Sequence, residues 1–415
     1  MKFIITPKFL VIYQIILLLV AIFFPKDIYE YYVGENDYMF FNVYLLMVGI
    51  LMIVFFYIGL IFGKIFFNII STSNNKENFI NINKKPVYFV LFPLISMMIL
   101  VMLYIIIFIK QNHQFFNLYV FGTVYKQSIK ANLFYYSTYM LIGVILWSII
   151  KSDYIRNHKI KKILKRLIIL GIFEVLIVSL LMQARFILMP FLIALFMIFI
   201  YKKHNINFKY LLIFIFLFLF ILLITAYFRS SNNENVFFSI IKQLIGYTIA
   251  SYNRFALIIE GKLHYTYSYT YYYLFPALNY IPLLHNVFSN FYGVSDSIIW
   301  NSEFISVWNS GLEGYYIWST LYGYIFDSIG WFSLIYLFFL GFLTQFFFEL
   351  FKRKSTIGIV FYPLIYASFI LVFVGNIFFL SQFIAYLYVV ILLILWESLF
   401  KIKKKSNFYE CSNRL

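Results

Sequence analysis

Residues 38–62 read YMFFNVYLLMVGILMIVFFYIGLIF, an unbroken run from Tyr38 to Phe62 without a single acid or base. At 1.5 Å per residue, a helix of that length exceeds the roughly 30 Å hydrocarbon thickness of a bilayer. Similar runs occur at 8–24, 87–109, 132–150, 167–183, 186–201, 210–228, 329–351, 357–375 and 376–400. The pattern predicts an all-α, polytopic integral membrane protein with about ten transmembrane helices. The rest of the composition agrees. The chain is 63% hydrophobic and 24% aromatic with only 12% charged residues, half the charge of an ordinary soluble domain. No charged, loop-rich stretch is large enough to form a soluble domain, so residues 1–415 read as one membrane domain.

A net charge of +17 suggests nucleic acid only until the charges are placed. They fall between the apolar runs. Residues 25–37 carry Asp27, Glu30, Glu35 and Asp37 against Lys26 alone, whereas 151–166 carry Lys151, Arg156, Lys159, Lys161, Lys162, Lys165 and Arg166. Basic loops stay in the cytoplasm, which puts the N-terminus, 63–86, 151–166, 202–209, 352–356 and a basic tail, 401–415, inside. About 24 of the 33 lysines and arginines are then cytoplasmic. Lys2 and Lys8 ahead of an apolar run resemble a signal sequence, but no small-x-small site precedes Pro25, so an uncleaved first span is expected. The lone Cys411 excludes an intrachain disulfide.

Residues 229–328 form a large extracytoplasmic loop, long enough to be functional. Within it, Val236–Ile259 is interrupted by Lys242, Gln243, Tyr252, Asn253 and Arg254 and reads as an amphipathic helix on the outer surface. Tyr315–Phe326 is too short to cross and reads as a re-entrant segment. The stretch from His264 to Tyr271 alternates aromatic and small polar residues, which predicts an extended segment with its rings on one face. Tyr267 and Tyr269 there can stack on sugars or form an interfacial belt.

Chemistry is expected on this outer side. Arg185 lies in the turn between two apolar helices, Arg229 ends the seventh run and Arg254 follows Asn253; their guanidiniums suit pyrophosphate oxygens, although each can also be a simple anchor. Lys242 and Lys262 are secondary anion contacts. General-base candidates are Glu234, Glu260, Asp296, Glu303, Glu313, Asp327, His264 and His285, with His264, Glu313 and Asp327 expected to be catalytic and Glu303 a substrate contact. No residues have metal-ligand spacing and there is no phosphate-binding glycine loop, so neither metal nor cofactor is expected.

Three stretches carry a resemblance: Gln183-Ala184-Arg185-Phe186 heading a middle span, Tyr227-Phe228-Arg229 opening the long outer loop, and Gly314 to Gly330 ending in Asp327-Ser328-Ile329-Gly330. These resemble the oligosaccharide repeat-unit polymerases of bacterial surface polysaccharides, the O-antigen polymerase (Wzy-type) family. The resemblance implies a metal-independent glycosyltransferase of the bacterial inner membrane. It would move a growing O-antigen, capsule or exopolysaccharide chain from undecaprenyl pyrophosphate onto a new lipid-linked repeat unit. Its implied partners are the bilayer, the lipid-linked oligosaccharide, a flippase and a chain-length regulator, with no nucleic acid. Arginines would hold the pyrophosphate. Rival readings are another lipid-linked sugar transferase with its acid among Asp27, Glu30, Glu35 and Asp37, a glycan ligase, and a polysaccharide flippase.

Overall fold

The computed structural model describes residues 2–72, 86–111, 133–155, 157–181, 185–202, 236–268, 274, 296–314, 316–375 and 382–399. Among them every regular element is helical. In chain order the α-helices are α1 (Pro7–Ile22), α2 (Lys26–Val33), α3 (Val43–Thr72), α4 (Pro86–Gln111), α5 (Leu133–Lys151), α6 (His158–Leu181) and α7 (Arg185–Lys202), followed by α8 (Val236–Ile259), α9 (Asp296–Asn309), α10 (Leu321–Ile329), α11 (Ser333–Lys352), α12 (Thr356–Ile370) and α13 (Gln382–Leu399). The segments Val43–Ile70, Tyr88–Ile107 and Leu321–Lys352 are each long and apolar enough to cross a membrane. The pair α1 and α2, bent by 87°, qualifies jointly. The apolar run at 210–228 lies outside the described residues.

Local sequence explains the boundaries. Pro7 opens α1, where its missing N–H costs nothing, and Gly34 at φ 83° ends α2 in the left-handed region that L side chains avoid. Thr320 and Ser355 cap α10 and α12 by accepting the amides of Gly323 and Gly358, both at 3.1 Å. The expected span 357–375 is shorter than its apolar run. Helix α12 stops at Ile370, Val372–Val374 form a 3-10 turn against α8 and α10, and Gly375 at φ 89° lies under the Tyr324 ring. Apolarity alone could not reveal this, because the turn is buried in protein rather than exposed to lipid.

Helices α3 and α11 run side by side in the same direction, Phe62 against Phe338 and Phe66 against Phe342. The seam is lined by Gly59 and Gly63 of α3 and Gly341 of α11. A Cβ at Gly59 would collide with the Phe338 carbonyl, and one at Gly341 with the Phe56 carbonyl. Small residues four apart are what let two helices approach where lipid supplies no hydrophobic drive. Because the obstruction is backbone, no rotamer can relieve it. Gly59→Leu is therefore expected to cost about 3 kcal/mol or more, read as a lowered unfolding temperature in detergent; an unchanged temperature would contradict the packing.

Lysine-bearing segments meet at one end of the bundle. Lys151 pairs with Glu397 at 2.9 Å, Lys202 with Asp153 at 2.7 Å, and Arg353 stacks over Phe67. Charge had grouped these segments on one side. At this end the hydroxyls of Tyr362 and Tyr366 also donate to the carbonyls of Ile5 and Ile4. The acidic turn after α1 lies at the other end of α1 and α3.

Helix α8 differs from expectation. Its second half does not lie on a surface: Ala250 to Ile258 are all buried, and the helix packs against α1, α2, α3 and α10. Of the polar residues that made it look amphipathic, Asn253 and Arg254 have their partners inside.

Candidate functional site

The core of the site is a buried ion pair. Arg254, 0% exposed, faces Glu35 of the turn after α2 through two bonds, Nη1 to Oε1 at 2.7 Å and Nη2 to Oε2 at 2.9 Å. Its neighbour Asn253 donates to Glu35 at 3.0 Å and to the Asn36 carbonyl at 2.8 Å, and accepts the Tyr38 amide at 2.7 Å. The Tyr29 hydroxyl donates to the same Glu35 oxygen. A third segment closes the arrangement, since Arg254 Nη2 donates to the Glu313 carbonyl at 2.9 Å and the Glu313 amide donates to Glu35 at 2.7 Å. Burial alone would raise the Glu35 carboxyl, but the Arg254 guanidinium and the hydrogen bonds from Arg254, Tyr29 and Asn253 outweigh it and hold the group below its ordinary value.

Two carboxylates of the same turn are also committed locally. Asp37 accepts the amides of Met39 at 2.8 Å and Phe40 at 3.0 Å, and Glu30 accepts the Asp37 amide at 3.1 Å. Burial raises the Asp37 carboxyl. Glu35 is thus a charge partner, and Asp37 and Glu30 shape the turn.

Immediately beyond α8 the chain alternates. Lys262, His264 and Thr266 point outward, while Leu263 and Tyr265 enter a small core with Leu257, Val307, Ile317 and Tyr324. Tyr265 stacks on Tyr324 and donates to the Ile317 carbonyl at 2.7 Å. The alternation is short: Ser268 bonds back to the Tyr265 carbonyl at 3.0 Å, so the expected extended aromatic face becomes a turn. Tyr267 is half-buried there, and Tyr269 lies outside the described residues.

On this ledge stands a dyad. His264 Nδ1 is 2.8 Å from Asp327 Oδ1, and Asp327 Oδ2 accepts the Tyr265 amide at 2.9 Å. The aspartate side chain is fully buried, whereas the imidazole is 67% exposed. Among the described residues Nε2 has no partner. A buried carboxylate that fixes Nδ1–H leaves the Nε2 lone pair facing outward, the arrangement of a general base. Lys262, two residues away on the same face, is held by Glu260 at 2.7 Å and lies over the Tyr38 ring. The bond to Glu260 raises the ammonium, which keeps it charged.

The structure thus gathers Arg254, His264, Asp327, Lys262 and the Glu313 backbone. Glu303, also buried, is near enough to Tyr265 that, after burial, its charge pushes that phenol up. Lys242 is not gathered: it lies about 18 Å from Arg254 along α8, with its carbonyl accepting from Tyr316. Arg185 begins α7 at the end away from Lys202, its side chain beyond the described residues, and Arg229 lies outside them. Sequence reasoning missed Glu35 as the partner of Arg254. Its signal was a guanidinium inside a helix, followed directly by the apolar run Phe255–Ile259, where burial requires an anion.

No protein-family model matches the chain, and no curated protein or solved structure shows significant similarity to it.

Proposed function

We propose that this chain is a glycosyltransferase of the bacterial plasma membrane that polymerises oligosaccharide repeat units carried on undecaprenyl pyrophosphate. In this reading it has about ten spans, both termini in the cytoplasm, and the loop 229–328 outside. The observation that carries the proposal is the His264–Asp327 dyad, at the end of the bundle away from the lysine-rich segments. His264 Nε2 takes the proton of an acceptor sugar hydroxyl. The oxygen attacks the anomeric carbon of the donor glycan as the bond to pyrophosphate breaks, and undecaprenyl pyrophosphate leaves. Lys262, with Arg185 and Arg229 as further candidates, neutralises the leaving charge. Arg254 does not serve here, because its guanidinium is spent on Glu35. The reading that puts the catalytic acid among Asp27, Glu30, Glu35 and Asp37 gains no support from Glu30, Glu35 and Asp37, which are engaged in holding the turn after α2.

The test is His264→Ala in membranes supplied with lipid-linked repeat units. Single units are expected to persist on the outer face while polymer disappears. Polymer of normal amount would remove the dyad from the mechanism. Failure of units to reach the outer face would favour a flippase.

A further inference from the structure

Helix α9 has its polarity reversed. Glu303 and Val307 are buried, while Phe304, Ile305 and Trp308 stand 43%, 55% and 62% exposed on the opposite face. Their spacing makes one stripe on the helix, and the Phe304 and Trp308 rings lie stacked at 15°. A helix of a water-bathed loop would turn such a stripe inward. Here the inner face is taken by the small core around Tyr265; the edge of the Phe304 ring rests on Gly314, and among the described residues no helix lies over Ile305 and Trp308.

We propose that α9 lies flat on the outer leaflet of the bilayer, with Phe304, Ile305 and Trp308 inserted at the boundary between headgroups and acyl chains. Its depth is fixed by hydrogen bonds that tie it to the segment ahead of α11. Ser306 of α9 is 3.1 Å from Thr266, the residue after Tyr265, whose amide bonds to Asp327; six residues after Asp327, α11 begins at Ser333. The stripe is therefore near the level at which a membrane-crossing helix starts. The head of α11 continues the same surface: Trp331 and Phe332 are exposed, and Trp331 packs on Phe326, which joins the core that also holds Val307. Indole and phenyl rings favour that boundary, and an aliphatic Ile305 between them suits acyl chains rather than sugar. The consequence is that the His264 ledge opens at headgroup height, so a lipid-linked substrate reaches it without leaving the membrane. The inference rests on α11 being a span and is independent of the chemistry proposed for His264.

A nitroxide at Ile305→Cys, in the full-length protein with Cys411→Ser, reconstituted in phosphatidylglycerol–phosphatidylethanolamine vesicles, tests it. Oxygen is expected to relax the label more strongly than a water-soluble nickel chelate, with the ratio reversed for a label at exposed Thr266→Cys. A second label at Trp308→Cys repeats the measurement, should Ile305→Cys elute abnormally. Nickel dominance at both α9 sites would mean the stripe faces water and would overturn the proposal. So would protection from both reagents, which would indicate protein cover. Transferase activity is not read in this experiment, so its failure leaves the His264 test intact.

Discussion

Asp327→Asn is expected to slow repeat-unit transfer by about 10²- to 10⁴-fold, the usual worth of a positioned general base, while the protein stays folded. Asparagine fits the same space, but it has one acceptor where aspartate has two. If its oxygen keeps the Tyr265 amide, its NH₂ faces His264 Nδ1 and donates to it. The imidazole proton then moves to Nε2, and the lone pair needed by the acceptor hydroxyl is gone. The flipped amide would set NH₂ against the Tyr265 N–H, leaving a buried donor unpaired at about 1–3 kcal/mol. The first route spoils the base without harming the fold; the second keeps the tautomer only at that cost, so the first is favoured. Because the two residues act as one unit, adding His264→Gln to Asp327→Asn should lower the rate little further. Initial rates of polymer formation in membranes, with protein level and unfolding temperature alongside, decide the matter. A wild-type rate in Asp327→Asn, or full additivity of the two substitutions, would sink the dyad.

Glu35→Gln is expected to lower the unfolding free energy by about 3–5 kcal/mol, because it strands the Arg254 charge in the interior. The same argument gives a pH signature. The folded-state carboxyl of Glu35 is held below its ordinary 4.5, so its contribution is complete above that value and is lost as pH falls through the folded-state value. The stability gap between wild type and Glu35→Gln should accordingly be full at neutral pH and close below pH 4.5. Asp37, raised by burial, is present in both proteins and cancels in the difference. Replacing both partners, as Glu35→Leu with Arg254→Met, should recover much of the loss. Denaturant unfolding in detergent at the two pH values supplies the comparison; a gap that persists unchanged into acid would mean the pair contributes through packing and not charge.

What the sequence made legible follows from how local each cause is. The run from Tyr38 to Phe62 has no use outside an apolar helix, and α3 contains most of it, starting five residues later and ending ten residues later. Likewise the basic residues of 151–166 sort by a rule that needs no coordinates, and Lys151, Asp153, Lys202 and Lys354 meet at one end. The site was legible only in halves. Asp27, Glu30, Glu35 and Asp37 had suggested one mechanism and Arg254 another, yet Glu35 and Arg254 are partners separated by 219 residues. Nothing in either neighbourhood names the other. The alternation expected from His264 to Tyr271 holds through Thr266, but the turn at Ser268 depends on Tyr265 finding Tyr324, a tertiary contact. Arg254 misled for a physical reason: an arginine at a helix end is equally at home in headgroups, on an anion or in a buried pair.

The hydroxyls of Tyr362 and Tyr366 on the carbonyls of Ile5 and Ile4 bear on how the protein is made. The turn at Ile4 and Ile5 is secured by groups that emerge from the ribosome 357 and 362 residues later. At 5–20 residues per second, that interval is about 20 s or longer. Throughout it the turn ahead of α1 lacks its final tether, and α1 lacks its neighbour α12. A nascent chain stalled anywhere before Tyr362 lacks both of these bonds.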